Sequence, residues 1–131
     1  MKSFFLTLMT VLLAGTGLAS AASAADRYPF TEARLAQAEA SGRPVLVDIA
    51  ASWCPVCQVQ KKIIASDLMK PAFANFVVLD VDFDTQKPVV RQFHATMQST
   101  LIFIRGKTER ARLVGGTDPD LIAAMMRRAV D

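Results

Sequence analysis

The chain has 131 residues, with 15 basic and 12 acidic side chains, two cysteines and one histidine. That length holds one domain with one modest core. A net charge of +3 from scattered bases lacks the basic stripe of a nucleic-acid-binding protein, and one histidine with two cysteines cannot complete a four-ligand structural zinc site within one chain.

The first segment runs from a positive start at Lys2 through the apolar FFLTLMTVLLAGTGLA to the small-residue SAASAAD. This is the order of a secretory signal. Ala22-Ser23-Ala24 and Ala19-Ser20-Ala21 both fit a cleavage site. A spanning helix needs about 20 apolar residues, so cleavage is expected and an uncleaved membrane anchor is the alternative. No cysteine lies near residue 20 to carry a lipid anchor. The expected division is residues 1–24 as signal peptide and 25–131 as the domain. Export permits disulfides.

Thr31 suits a helix N-cap, with Phe30 and Leu35 at the two staple positions and Gly42 as the stop, so a helix is expected to about Ser41. Val45-Leu46-Val47-Asp48-Ile49 reads as a strand covered on both faces. Pro55 then marks the first turn of a helix, with Val56, Val59, Ile63 and Ile64 inward and Gln58, Lys61 and Lys62 in water. Ser66-Asp67 is expected to break or restart it before Phe73. Residues 76–81 form a second buried strand, and residues 86–94 a short helix with Pro88 in its first turn. His94, the only histidine, is expected as an exposed helix-end residue. Residues 101–104 and 111–114 form two further strands close enough for a hairpin. Asp118-Pro119 caps a last helix, with Leu121, Ile122, Met125, Met126 and Ala129 inward. The helical spacing of these methionines marks core packing, not a metal box. The expected fold is a three-layer α/β/α sandwich on a central mixed sheet of about four strands.

Both cysteines sit in DIAASWCPVC. A structural disulfide stabilises most when it closes a long loop, and a bridge between Cys54 and Cys57 closes almost none. The pair therefore reads as redox-active. Cys54 falls where a strand gives way to a helix, and helix N-terminal N–H groups and the dipole stabilise a thiolate. Cys54 is then the attacking sulfur, and Cys57, one turn on, resolves the mixed disulfide. Asp48 lies in an apolar strand, where an acid is costly unless satisfied. Two readings stand for it: a proton acceptor for Cys57, or a side chain that hydrogen-bonds locally or points outward. Trp53 either shields the sulfurs and meets substrate or simply packs.

The stretch VLVDIAASWCPVC resembles the thioredoxin superfamily, which carries a buried acid on an apolar strand and then W-C-x-x-C. The resemblance covers about residues 30–130. The lead-in EASGRPVLVDIAASWC is similar to the C-terminal thioredoxin-like domain of periplasmic thiol:disulfide interchange reductases. It implies the proton-acceptor role for Asp48, a substrate face at Trp53, Pro55, Gln98, Ser99, Thr100 and Gly115, and no organic cofactor beyond the Cys54–Cys57 disulfide. The implied partners are protein thiols and disulfides, including cytochrome c maturation factors as clients, and a membrane thiol electron donor; the implied location is the periplasm.

Three departures from the family stand out. Ser99 occupies the place of a cis-proline, and a cis bond there would cost about 2.5–4 kcal/mol, so a trans bond is expected. Pro55-Val56 replaces the usual Gly-Pro between the cysteines. Val78 stands at about the position where many thioredoxins put a basic residue near the buried acid. The expected activity is protein-disulfide reduction. The alternatives are a metal- or partner-binding protein of this fold with little turnover, and a thiol oxidase or isomerase.

Overall fold

The computed structural model describes residues 25–131, and the expected signal segment lies outside them. The elements run β1 (Asp26–Pro29), α1 (Glu32–Ala40), β2 (Pro44–Ala50), α2 (Pro55–Leu68), a 3-10 turn at Pro71–Phe73, β3 (Val77–Asp82), α3 (Lys87–Gln92), β4 (Thr100–Arg105), β5 (Thr108–Val114) and α4 (Pro119–Val130). The sheet order is β1-β3-β2-β4-β5. β1, β3 and β2 are parallel, while β4 runs antiparallel to β2 and β5 antiparallel to β4.

β2 lies at the centre and every one of its residues is buried. Its side chains alternate between two cores, as the period of a strand requires. Val45, Val47 and Ile49 pack with Leu35 and Ala38 of α1 and Val90 of α3. Leu46 packs on the other face with Ile64 of α2 and Ile122 and Met126 of α4. Each such fully buried aliphatic side chain contributes about 1.5–3 kcal/mol, and together they hold three layers, α1/α3, sheet and α2/α4.

α1 starts as expected: the Thr31 hydroxyl accepts from the Arg34 N–H, and Phe30 and Leu35 are both buried. Four expectations are corrected. The sheet has a fifth strand, β1, whose residues DRYP carry almost no apolar signal because the strand is an exposed edge. α2 runs unbroken through Ser66 and Asp67 to Leu68, because buried Asp67 is matched by Lys70 Nζ at 2.6 Å. Its buried stripe is Cys57, Gln60, Ile64 and Asp67, whereas Val56 and Val59 are exposed. The helix is thus rotated by about one residue from the apolar reading, because the cysteine takes the core-facing position. In α4, Ile122, Ala123, Met126 and Ala129 are buried, but Leu121 is exposed. His94 is exposed and follows α3 in the left-handed region, with φ 52.

Candidate active site

Ile49 pairs with Thr100, and Thr100 with Val114. The loops after β2, before β4 and after β5 therefore leave the sheet at one end. Cys54 sits there as the N-cap of α2, and Pro55 occupies the first turn, where its missing N–H leaves no bond unmade. A disulfide joins Cys54 to Cys57, with Cα atoms 5.3 Å apart. The backbone N–H of Cys57 donates to Cys54 Sγ at 3.1 Å. Once the bond is reduced, that N–H and the helix dipole favour the Cys54 thiolate. Both cysteines are buried, at 2% and 0% exposure, so Cys54 is only marginally the more accessible sulfur.

Asp48 shares the α2-facing side of β2 with Leu46 and is fully buried. Cys57 and Lys61 lie one turn apart on α2, and Lys61 Nζ reaches Asp48 Oδ2 at 3.1 Å, so this face of the helix looks onto the acid. Arg27 of β1 donates to the same oxygen at 2.7 Å. Asp48 Oδ1 has no hydrogen-bond partner among the described residues. The register sets Asp80 of β3 beside Asp48. Arg27 and Lys61 both bridge to Asp80, Lys61 at 3.0 Å. Burial alone would push the Asp80 carboxyl up, but hydrogen bonds and charge from Arg27 and Lys61 outweigh it and hold the group below its ordinary value. Burial would likewise lower the Arg27 guanidinium, yet Asp80 and Asp48 hold it above its ordinary value. This corrects two expectations. Val78 is indeed a buried core residue, but the acid does not lack cations: β1 and α2 supply two. Lys61 is not a solvated-face lysine; its ammonium is spent on the two acids.

The other flank is neutral. Gln60, fully buried, donates its amide Nε2 to Ser99 O at 3.2 Å and to Gly116 O at 2.9 Å. Ser99 O also accepts from the Gly115 N–H at 2.9 Å. Ser99 has φ 55, and among the described residues no peptide bond is cis. A side chain in the left-handed region costs about 1–2 kcal/mol, offset here by the hydrogen bonds on the carbonyl. The Ser99 hydroxyl donates to Gln98 O at 2.6 Å and the Thr100 hydroxyl to Met97 O at 2.8 Å. Ser99 and Thr100 are themselves buried, at 3% and 1% exposure. The loop therefore turns both inward, and the surface it offers is exposed Met97 and half-buried Gln98. Gly115 is exposed in the left-handed region, with φ 71.

Trp53 is 60% exposed, so it does not pack into the core, and its indole N–H donates to Asp84 at 2.8 Å. A cavity of about 340 Å³ lies behind the cysteine loop, lined by Ala50, Ala51, Ser52, Lys61, Asp80 and Gln86 among others. A larger one of about 450 Å³, beside Asp26, Arg34 and Arg43, lies at the opposite ends of the strands from Cys54. No group of three or more His, Cys, Asp or Glu among the described residues could hold a metal ion. The arrangement can exchange two electrons: it opens and closes one S–S bond, with a helix end stabilising one sulfur and an acid on the strand beneath the other. Sequence reasoning missed Gln60, Arg27, Lys61 and Asp80. Two acids at register-matched positions of neighbouring apolar strands were a signal for the cations.

A thioredoxin-like family model matches residues 26–105. Thioredoxin H4 of Arabidopsis thaliana is 30% identical over 94 residues, which is 72% of this chain and 78% of that protein. A Thioredoxin H-type protein of Oryza sativa subsp. indica is 31% identical over 90 residues, covering 69% and 72%. The crystal structure of Trxlp from Edwardsiella tarda EIB202 superposes with a TM-score of 0.74 at 40% identity, covering 77% of this chain and 98% of that one. With its Cys54–Cys57 disulfide at the start of α2, this chain belongs to the thioredoxin-like family and is a thiol–disulfide oxidoreductase.

Proposed function

We propose that the protein is an exported reductase of protein disulfides. The observation that carries the chemistry is Cys54 as the N-cap of α2, one turn from Cys57 and receiving its N–H. The Cys54 thiolate attacks a substrate disulfide. One S–S bond forms between Cys54 and substrate as the substrate's bond breaks, and one substrate thiolate leaves. Cys57 passes its proton to Asp48 and attacks Cys54 Sγ, which re-forms the internal disulfide and releases the second substrate thiolate. Two electrons pass from the protein to the substrate. A dithiol donor at the membrane restores the reduced pair.

Trp53, Pro55, Gln98 and Gly115 form the substrate face, while Ser99 and Thr100 shape its backbone from within. Export is supported by the signal-like order of residues 1–24, and the periplasm is the location this reading assigns. The test is the reduction potential of the Cys54–Cys57 pair, measured beside insulin reduction. A value near that of a thioredoxin-type reductant, about −270 mV, supports the reading. A value of about −120 mV marks an oxidant and overturns it. Fractionation with N-terminal sequencing checks export, with Ala25 the expected first residue of the processed chain.

A further inference from the structure

Gln60 is an uncharged amide buried without any exposure on the helix that carries both cysteines. Its two acceptors lie in two different loops, at Ser99 before β4 and Gly116 after β5, and both loops leave the sheet at the Cys54 end. Two carbonyls facing one amide fix which end is the nitrogen, because only NH₂ can donate to both. The remaining Oε1 is buried with no hydrogen-bond partner among the described residues. A purely packing residue at this position would be apolar, since an orphaned buried acceptor is costly.

We infer that Gln60 is a positioning residue for disulfide exchange: by tying the Ser99 and Gly116 carbonyls to α2, it sets the groove beside Cys54 in which a protein disulfide docks. This rests on the reading of the protein as a disulfide reductase. Gln60 contacts neither sulfur through any hydrogen bond, so its influence passes through the loops. Ser99 is the hinge of that influence. Its left-handed backbone turns the carbonyl inward, where Gln60 and the Gly115 N–H both hold it. A substrate protein must fit the loops in that arrangement, whereas a small disulfide needs only Cys54.

The test compares the intact chain with Gln60→Met and Gln60→Glu, both of similar size and neither able to donate two hydrogen bonds as the amide does. Insulin and glutathione disulfide serve as the large and small substrates, with dithiothreitol as the reductant. A rise in KM for insulin of about fivefold to tenfold is expected, with kcat held within about twofold and KM for glutathione disulfide shifted by less than about twofold. The reduction potential of Gln60→Met should not move. Unchanged KM for insulin in both variants overturns the inference. So does an equal loss on both substrates, which marks a general role in the fold, and so does failure of both variants to fold. If the unmodified chain reduces neither substrate, the reductase reading itself fails and takes this one with it.

Discussion

Gln60 and Lys61 are consecutive residues of α2, and they serve opposite flanks of the cysteine pair by different physics. Lys61 reaches toward β2 and β3, into two acids that Arg27 of β1 also holds. Gln60 reaches toward β4 and β5, into two backbone carbonyls. The first flank is held by charge. The second is held by neutral hydrogen bonds and can only keep or lose its shape. On the reading proposed above, the difference separates two tasks of an exchange reaction: proton transfer beneath one sulfur and substrate geometry beside the other. The charged flank should respond to pH, and the neutral flank should not.

The comparison breaks most completely if the two sulfurs are interchangeable. Cys54→Ser should abolish exchange, while Cys57→Ser should accumulate mixed disulfides with substrate, seen on non-reducing gels and by mass spectrometry. Multiple turnover on insulin by Cys57→Ser would remove the distinction between attacker and resolver. Next in size, Asp48→Asn should slow insulin reduction by about 10-fold to 100-fold at neutral pH and alter its pH–rate profile, whereas Gln60→Met keeps the profile of the parent. A profile shifted equally in both variants would merge the flanks.

Arg27→Met removes one of two donors on Asp48 Oδ2 and a partner of Asp80. It should cost about 1–2 kcal/mol in urea unfolding, a modest figure because Arg27 is partly exposed. The acid limb supplies a finer test. Asp80 titrates below its ordinary value in the folded chain, so its contribution to stability is fully present above the unfolded-state pKa of about 3.9. It is lost as the pH falls through the lower folded value. Asp80→Asn should therefore lower the Tm at neutral pH and lose less stability than the parent below about pH 4. Parallel Tm curves for the two chains would show that the pairing does not depend on that carboxylate. The smallest effect is expected at Ser99→Gly, which relaxes φ 55 and should raise stability by about 0.5–1 kcal/mol, read as a higher urea midpoint.

The central strands were legible because burial on both faces writes an almost wholly apolar run, as at Val45–Ile49 and Val77–Val81, each interrupted by a single acid. The cysteine pair was legible because its spacing and its place at a strand-to-helix junction carry their own chemistry. β1 was not, since an exposed edge strand needs no apolar residues and DRYP reads as a loop. The face of α2 was misjudged for a related reason. Hydrophobicity ranked Val56 and Val59 above Cys57, Gln60 and Lys61, yet the residues that meet partners beneath the helix are the latter. Polar groups satisfied inside a protein leave no hydrophobic signature; only the strand register, which puts Asp48 against Asp80, announces them.

The edge strand β1 is four residues long, yet it delivers Arg27 to the acid beneath the redox pair. Loss of the chain up to that residue would consequently reach Asp48. A protease cut on the far side of Arg27 would take a strand from the sheet edge and a countercharge from Asp48 in one event. The shortest strand of the sheet would thus tie the integrity of its outer edge to the charge balance at the strand beneath α2.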